Sequence, residues 1–84
     1  MIIGNQIRIA RFALRWTVQE LSERTGVNVR TVKRIEAEDG VPHASAQTLQ
    51  TLQTALEAAG IEFIGTPDND PGIRIRTNKP NETS

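Results

Sequence analysis

Cysteine and tyrosine are absent from this chain, which also has a single histidine and a single tryptophan. Without cysteine there is no disulfide framework and no thiolate zinc site, so apolar packing alone must hold the core, as suits a reducing cytosol. One histidine, no Gly-rich phosphate loop and no carboxylate and histidine cluster at metal-ligand spacing leave too few groups for acid–base, nucleophilic or metal-assisted catalysis. The chain is therefore read as a non-enzyme with no cofactor and no metal. Long apolar runs are missing too, since none approaches the roughly twenty residues that cross a bilayer. Arg8, Arg11 and Arg15 interrupt the apolar start MIIGNQIRIARFALRW at three- and four-residue steps, unlike a signal peptide. No membrane is expected as a partner, and the expected compartment is the cytoplasm.

Positive charge is also missing from one stretch. Residues 35–70 hold no Lys or Arg but seven acids (Glu36, Glu38, Asp39, Glu57, Glu62, Asp68, Asp70), a net −7. Residues 1–34 carry seven bases (Arg8, Arg11, Arg15, Arg24, Arg30, Lys33, Arg34) against Glu20 and Glu23, a net +5, and the last fourteen residues return +2. The total of zero thus conceals a two-poled distribution whose basic pole suits a polyanion. Eighty-four residues make one small domain with a modest core and a single function.

What is present is helical periodicity with clear caps. Ile3, Ile7, Ala10 and Leu14 recur at helical steps and predict a first helix over 4–15. Thr17 and Glu20 stand in capping-box spacing, with Trp16 placed to staple onto Leu21, and predict a second helix over 18–25. Gly26 ends it in a left-handed conformation. Asn28 caps a third helix over 29–37 that buries Val32 and Ile35. Beyond the breaker Glu38-Asp39-Gly40-Val41-Pro42, Ser45 opens a fourth helix to Ala59 with Leu49, Leu52 and Leu56 inward; Gly60 stops it, and Ile61 falls back on Leu56. Two short strand patterns follow, Ile61-Glu62-Phe63-Ile64 and Ile73-Arg74-Ile75-Arg76, separated by a loop over 65–72. Folded back, they place Glu62 across from Arg74 or Arg76. A hairpin this small must lie on the helices or pair with a second subunit. The expected fold class is all-α, a four- to five-helix bundle with a short C-terminal strand pair. The expected units are a helical domain over 1–60, a strand pair over 61–76 and a flexible tail over 77–84.

The stretch IRIARFALRWTVQELSERTGVNVRTVKRIEAEDGVP, with ELSERTGV followed by TVKRIE, resembles the Cro/C1-type (Xre-family) helix-turn-helix domain of phage repressors and small bacterial regulators, over roughly residues 3–59. Gly26, Val27, Val32, Ile35 and Glu36 fall in the family's places. The trailing LEAAGIEFIG and GIRIR resemble a subset of small regulators with a strand pair after the last helix. The resemblance implies a sequence-specific DNA-binding transcriptional regulator, a repressor, that inserts its third helix into the major groove of an inverted repeat as a homodimer. It assigns base contacts to Asn28, Val29, Arg30, Lys33 and Arg34. Arg30 suits a guanine edge, Asn28 an adenine edge or a phosphate, and Val29 a thymine methyl. Thr17, at the exposed start of helix two, matches the family's phosphate clamp. Many members carry Gln next, where this chain has Val18, so anchoring shifts to Arg15, Arg24, His43 and the backbone amides from Val41 to Ser45. Arg11 and Glu36 match an ion pair between helix one and the end of helix three, either partly buried and orienting or exposed and weak. Ile61, Phe63, Ile64, Ile73 and Ile75, with the outer side of helix four, form the expected dimer interface. The alternative reading is a protein-binding adaptor or antitoxin component whose acidic half grips a basic partner. Glu36, Glu38 and Asp39 also invite a metal, although a charged helix end is the commoner meaning of such a run.

Overall fold

The computed structural model describes residues 2–76, and the tail expected over 77–84 lies outside them. Helix α1 spans Gly4–Ala13 and turns Ile7 and Ala10 inward with no solvent exposure. It stops two residues short of the expected Arg15. The Arg15 amide donates to the Phe12 carbonyl at 2.9 Å and the Trp16 amide to the Arg11 carbonyl at 3.0 Å, which together close a Schellman turn. Arg15 occupies its left-handed position at φ 60°, where glycine is usual.

Helix α2, Val18–Thr25, follows the capping box: Thr17 Oγ1 accepts the Glu20 amide and Glu20 Oε1 accepts the Thr17 amide, both at 3.0 Å. Gly26 ends α2 at φ 78°. Helix α3 is Val29–Glu36 and helix α4 is Ala46–Ala58, with Ser45 as the cap of α4. Gly60, at φ 109°, donates its amide to the Glu57 carbonyl and turns the chain out of α4.

Strands β1, Ile61–Thr66, and β2, Asn69–Ile75, form one antiparallel pair. They are longer than the sequence pattern predicts, and the expected loop over 65–72 shrinks to a Pro67-Asp68 turn. Its Gly, Asp and Pro residues make a β-bulge instead, in which Gly65 (φ 76°) lies across from Asp70 (φ 52°) and Pro71. A bulge tolerates the missing proline amide, which a regular ladder does not. Glu62 pairs with Arg74 in register, Oε1 to Nη1 3.2 Å.

The all-α description is corrected by this sheet. The described residues are about 52% helix and 17% strand, a small mixed α/β globule. Helical periodicity accounts for the apolar residues up to Ala59 and makes the strands look like an appendage, yet Ile61 is wholly buried among Ile7, Leu21, Val32, Ile35, Leu52 and Leu56. Phe63 and Ile73 pack on the same cluster. The hairpin is a wall of the core.

Gln6 fastens that wall. Only 2% exposed, it accepts the Ile3 amide on Oε1 at 2.9 Å and donates from Nε2 to the carbonyls of Ile64 (3.1 Å) and Gly72 (2.8 Å). All its hydrogen-bonding groups serve to join the start of α1 to both strands. Gly4 fits the same tight end: a Cβ there would drive into the backbone carbonyls of Ile35 and Glu38.

Candidate functional site

The turn between α2 and α3 is built by hydrogen bonds that leave the outer side of α3 free. Thr25 Oγ1 donates to the Leu21 carbonyl (2.7 Å) and accepts the Val27 amide (3.2 Å), so one hydroxyl braces the corner on both sides of Gly26. Asn28 Oδ1 then accepts the Arg30 amide at 2.8 Å and starts α3. Val32 and Ile35 anchor the inner side with no exposure. The eight residues of α3 make a rod about 12 Å long.

Asn28, Val29, Arg30 and Lys33 line one open depression on this rod. Arg30 and Lys33 are exposed and Val29 is half-buried. The Asn28 oxygen is taken by the cap and leaves its NH2 for any ligand. Arg34 is set apart from these four: its Nη1 donates to the His43 carbonyl at 2.6 Å, which ties α3 to the following loop. That bond takes one nitrogen of an otherwise exposed guanidinium.

The expected phosphate group divides. Thr17 Oγ1 accepts in the cap but keeps its proton to donate, and the Val18 and Gln19 amides stand at the open start of α2. The Glu20 carboxylate, drawn to the same helix start, is the price of this cap, because it opposes an anion there. Arg15 is exposed two residues before Thr17. Arg24 is elsewhere: its guanidinium stacks on Trp16, 4.2 Å from the ring centroid, in a hollow shared with Ala55 and Ala58 of α4 and with Ala59 just after it. His43 presents Nδ1 to Glu38 at 3.2 Å while its amide donates to the same carboxylate at 3.0 Å. An acid at that distance opposes an anion beside His43, as Glu20 does beside Thr17. Ser45 Oγ accepts the Thr48 amide (3.1 Å) and donates to Thr48 Oγ1 (2.8 Å), while the Ser45 amide, the group expected to anchor a phosphate, has no hydrogen bond among the described residues.

Arg11 and Glu36 form a two-pronged pair, Nε to Oε2 2.8 Å and Nη2 to Oε1 2.9 Å, with side chains 9% and 7% exposed. Arg11 Nη1 also donates to the Trp16 carbonyl at 2.9 Å. One guanidinium thereby fixes α1, the loop before α2 and the end of α3. The hydrogen bond to Glu36 raises the Arg11 pKa, reinforced by the opposite charge and opposed by burial. Glu36 turned inward and Glu38 turned to His43 separate the acidic run that invited a metal.

Of the five interface candidates, Ile61 is corrected to an interior residue with no exposure. Phe63, Ile64 and Ile73 are half-buried, and Ile75 is 52% exposed. Sequence reasoning passed over Gln6 and Gly4. The legible signal for Gln6 was its place three residues after Ile3, the position from which a glutamine reaches back to a helix's first amide.

Among the described residues, no helix is long and apolar enough to cross a membrane. No family model matches the chain, and no curated protein matches it.

Proposed function

We propose that this protein is a Cro/C1-type transcriptional regulator, a repressor, which acts in the cytoplasm as a homodimer and reads an inverted repeat in double-stranded DNA with α3. The observation that carries the proposal is the convergence of Asn28, Val29, Arg30 and Lys33 on one unobstructed rod whose opposite side is locked into the core. A major groove about 12 Å wide admits such a helix. Arg30 supplies a fork for guanine O6 and N7, Val29 a methyl surface for thymine, and Lys33 a cation for either base or phosphate. Thr17 with the amides of Val18 and Gln19, helped by Arg15, holds the backbone.

Homodimerisation follows from economy of readout, since one such helix spans only about four or five base pairs and a two-fold pair doubles this. The interface offered is the hairpin, through Ile75 and the parts of Phe63, Ile64 and Ile73 that the core leaves uncovered.

The adaptor reading draws on the acidic half, but Glu36 and Glu62 are already paired with Arg11 and Arg74, and Glu38 lies against His43. DNA binding is the better supported of the two.

Selection of bound duplexes from a random pool tests the proposal, with Arg30→Ala beside the parent. The parent should enrich a short inverted repeat, and the variant should lose about 1–3 kcal/mol of discrimination at one position per half-site. Affinity should fall linearly with the logarithm of salt concentration, by a slope of about −0.9 per phosphate contacted. Equal enrichment by both chains refutes the role of Arg30, and weak binding indifferent to salt refutes DNA recognition altogether.

A further inference from the structure

We propose that Asp39 is a site of spontaneous isoaspartate formation, selected by the fold from all the Asp and Asn residues described. The Gly40 amide nitrogen attacks the side-chain carboxyl carbon of Asp39. A C–N bond forms, the C–O bond breaks, and the hydroxyl of the protonated carboxyl group leaves as water with the amide proton, giving a five-membered succinimide. Water then reopens the ring. When it cleaves the bond to the former α-carbonyl, the chain runs through what was the side chain, with one methylene added to the backbone and no net change in atoms.

Three conditions favour this chemistry, and the loop between α3 and α4 meets them. Asp39 and Gly40 are both exposed and lie outside any helix or strand. Among the described residues, neither the Asp39 carboxylate nor the Gly40 amide is held by a hydrogen bond or ion pair. A Cβ built on Gly40 meets nothing within 4 Å, so nothing crowds the approach.

Elsewhere the structure closes the route. Asp70 precedes Pro71, which has no amide proton to lose. Asp68 precedes Asn69 and Asn69 precedes Asp70, so in both the attacking amide belongs to a residue whose Cβ crowds the approach, and both lie in the turn and bulge that join the paired strands. Asn5 is followed by Gln6, whose amide is bound to the Ile3 carbonyl at 3.1 Å within the first turn of α1. Asn28 has its side-chain oxygen fixed by the Arg30 amide.

The change would be felt beyond the loop. The Gly40 carbonyl accepts the Gly4 amide at 3.3 Å, at the end of α1 where there is no room for a Cβ. An extra backbone methylene moves that carbonyl and loosens the seat of α1, so the converted form should melt at a lower temperature.

The test is to hold the full chain at neutral pH and elevated temperature and follow methyl transfer by an isoaspartate O-methyltransferase with labelled S-adenosylmethionine. Fragmentation mass spectrometry locates the methyl acceptor. Asp39→Glu, which can close only a slower six-membered imide, and Gly40→Ala, for which the space exists, are carried alongside and checked for folding by circular dichroism. The parent should accumulate acceptor at Asp39, Asp39→Glu should lose it, and Gly40→Ala should lose most of it. Equal accumulation in all three chains overturns the proposal. So does a parent that stays unconverted while an unfolded peptide of the same loop sequence converts.

Discussion

Arg11 joins three separate parts of the chain through a single guanidinium, so its removal is more than the loss of one ion pair. Arg11→Ala strands the Glu36 carboxylate in a 7%-exposed position and frees the loop carbonyl of Trp16. A cost of about 3 kcal/mol is expected, the low end for breaking a buried pair, because both side chains keep a little contact with water. Urea unfolding of Arg11→Ala beside Arg15→Ala checks this, and the Arg15 change should be much the milder. Replacing Arg11 and Glu36 together by Met and Leu should recover most of the loss. The raised Arg11 pKa makes its stabilisation complete below the ordinary arginine value and fading only above it, so Arg11 introduces no pH dependence near neutrality. At this scale the sequence was readable where a residue's type announces its role, as with Thr17, Gly26 and Asn28. It was unreadable at Arg15, because a left-handed residue is recognised by glycine and the Schellman turn here uses an arginine.

Among the elements, α2 stands where its capping box and Gly26 place it, and α1, α3 and α4 differ from expectation only at their ends. Local signals determine those boundaries. The hairpin differs more, since Gly65, Asp70 and Pro71 have the composition of a loop and become a bulge only because the flanking strands are held against the core. That holding depends on Gln6, whose partners Ile64 and Gly72 lie 58 and 66 residues away, beyond any local pattern. Gln6→Ala should cost about 2–3 kcal/mol, as three hydrogen bonds in a closed site are lost together. Hydrogen exchange should locate the damage, with β1 and β2 amides losing protection ahead of those of α2 and α3. If the strands and α2 lose protection equally, Gln6 is not a specific clamp. The same long separation explains why the candidate site was only partly legible: the rod of α3 is a local fact, whereas the loop contact that occupies Arg34 and the stacking that occupies Arg24 are tertiary ones.

For the whole molecule, the neutral total charge is the sum of opposed regions, +5, −7 and +2, and three of the acids, Glu36, Glu38 and Glu62, lie against Arg11, His43 and Arg74. The basic side chains of α3 face outward without such partners among the described residues, apart from Arg34. If the hairpin joins two copies, Ile75→Asp should abolish the dimer in sedimentation equilibrium. Thermal stability should change little, because a side chain 52% exposed contributes little to its own core. A parent that sediments only as a monomer removes the interface proposal. The bond from Gln6 to Gly72 has one further consequence, for synthesis. The opening helix cannot be clamped to the second strand until that strand has left the ribosome, so this contact is among the last that the nascent polypeptide can make, and fragments that end before Gly72 lack it.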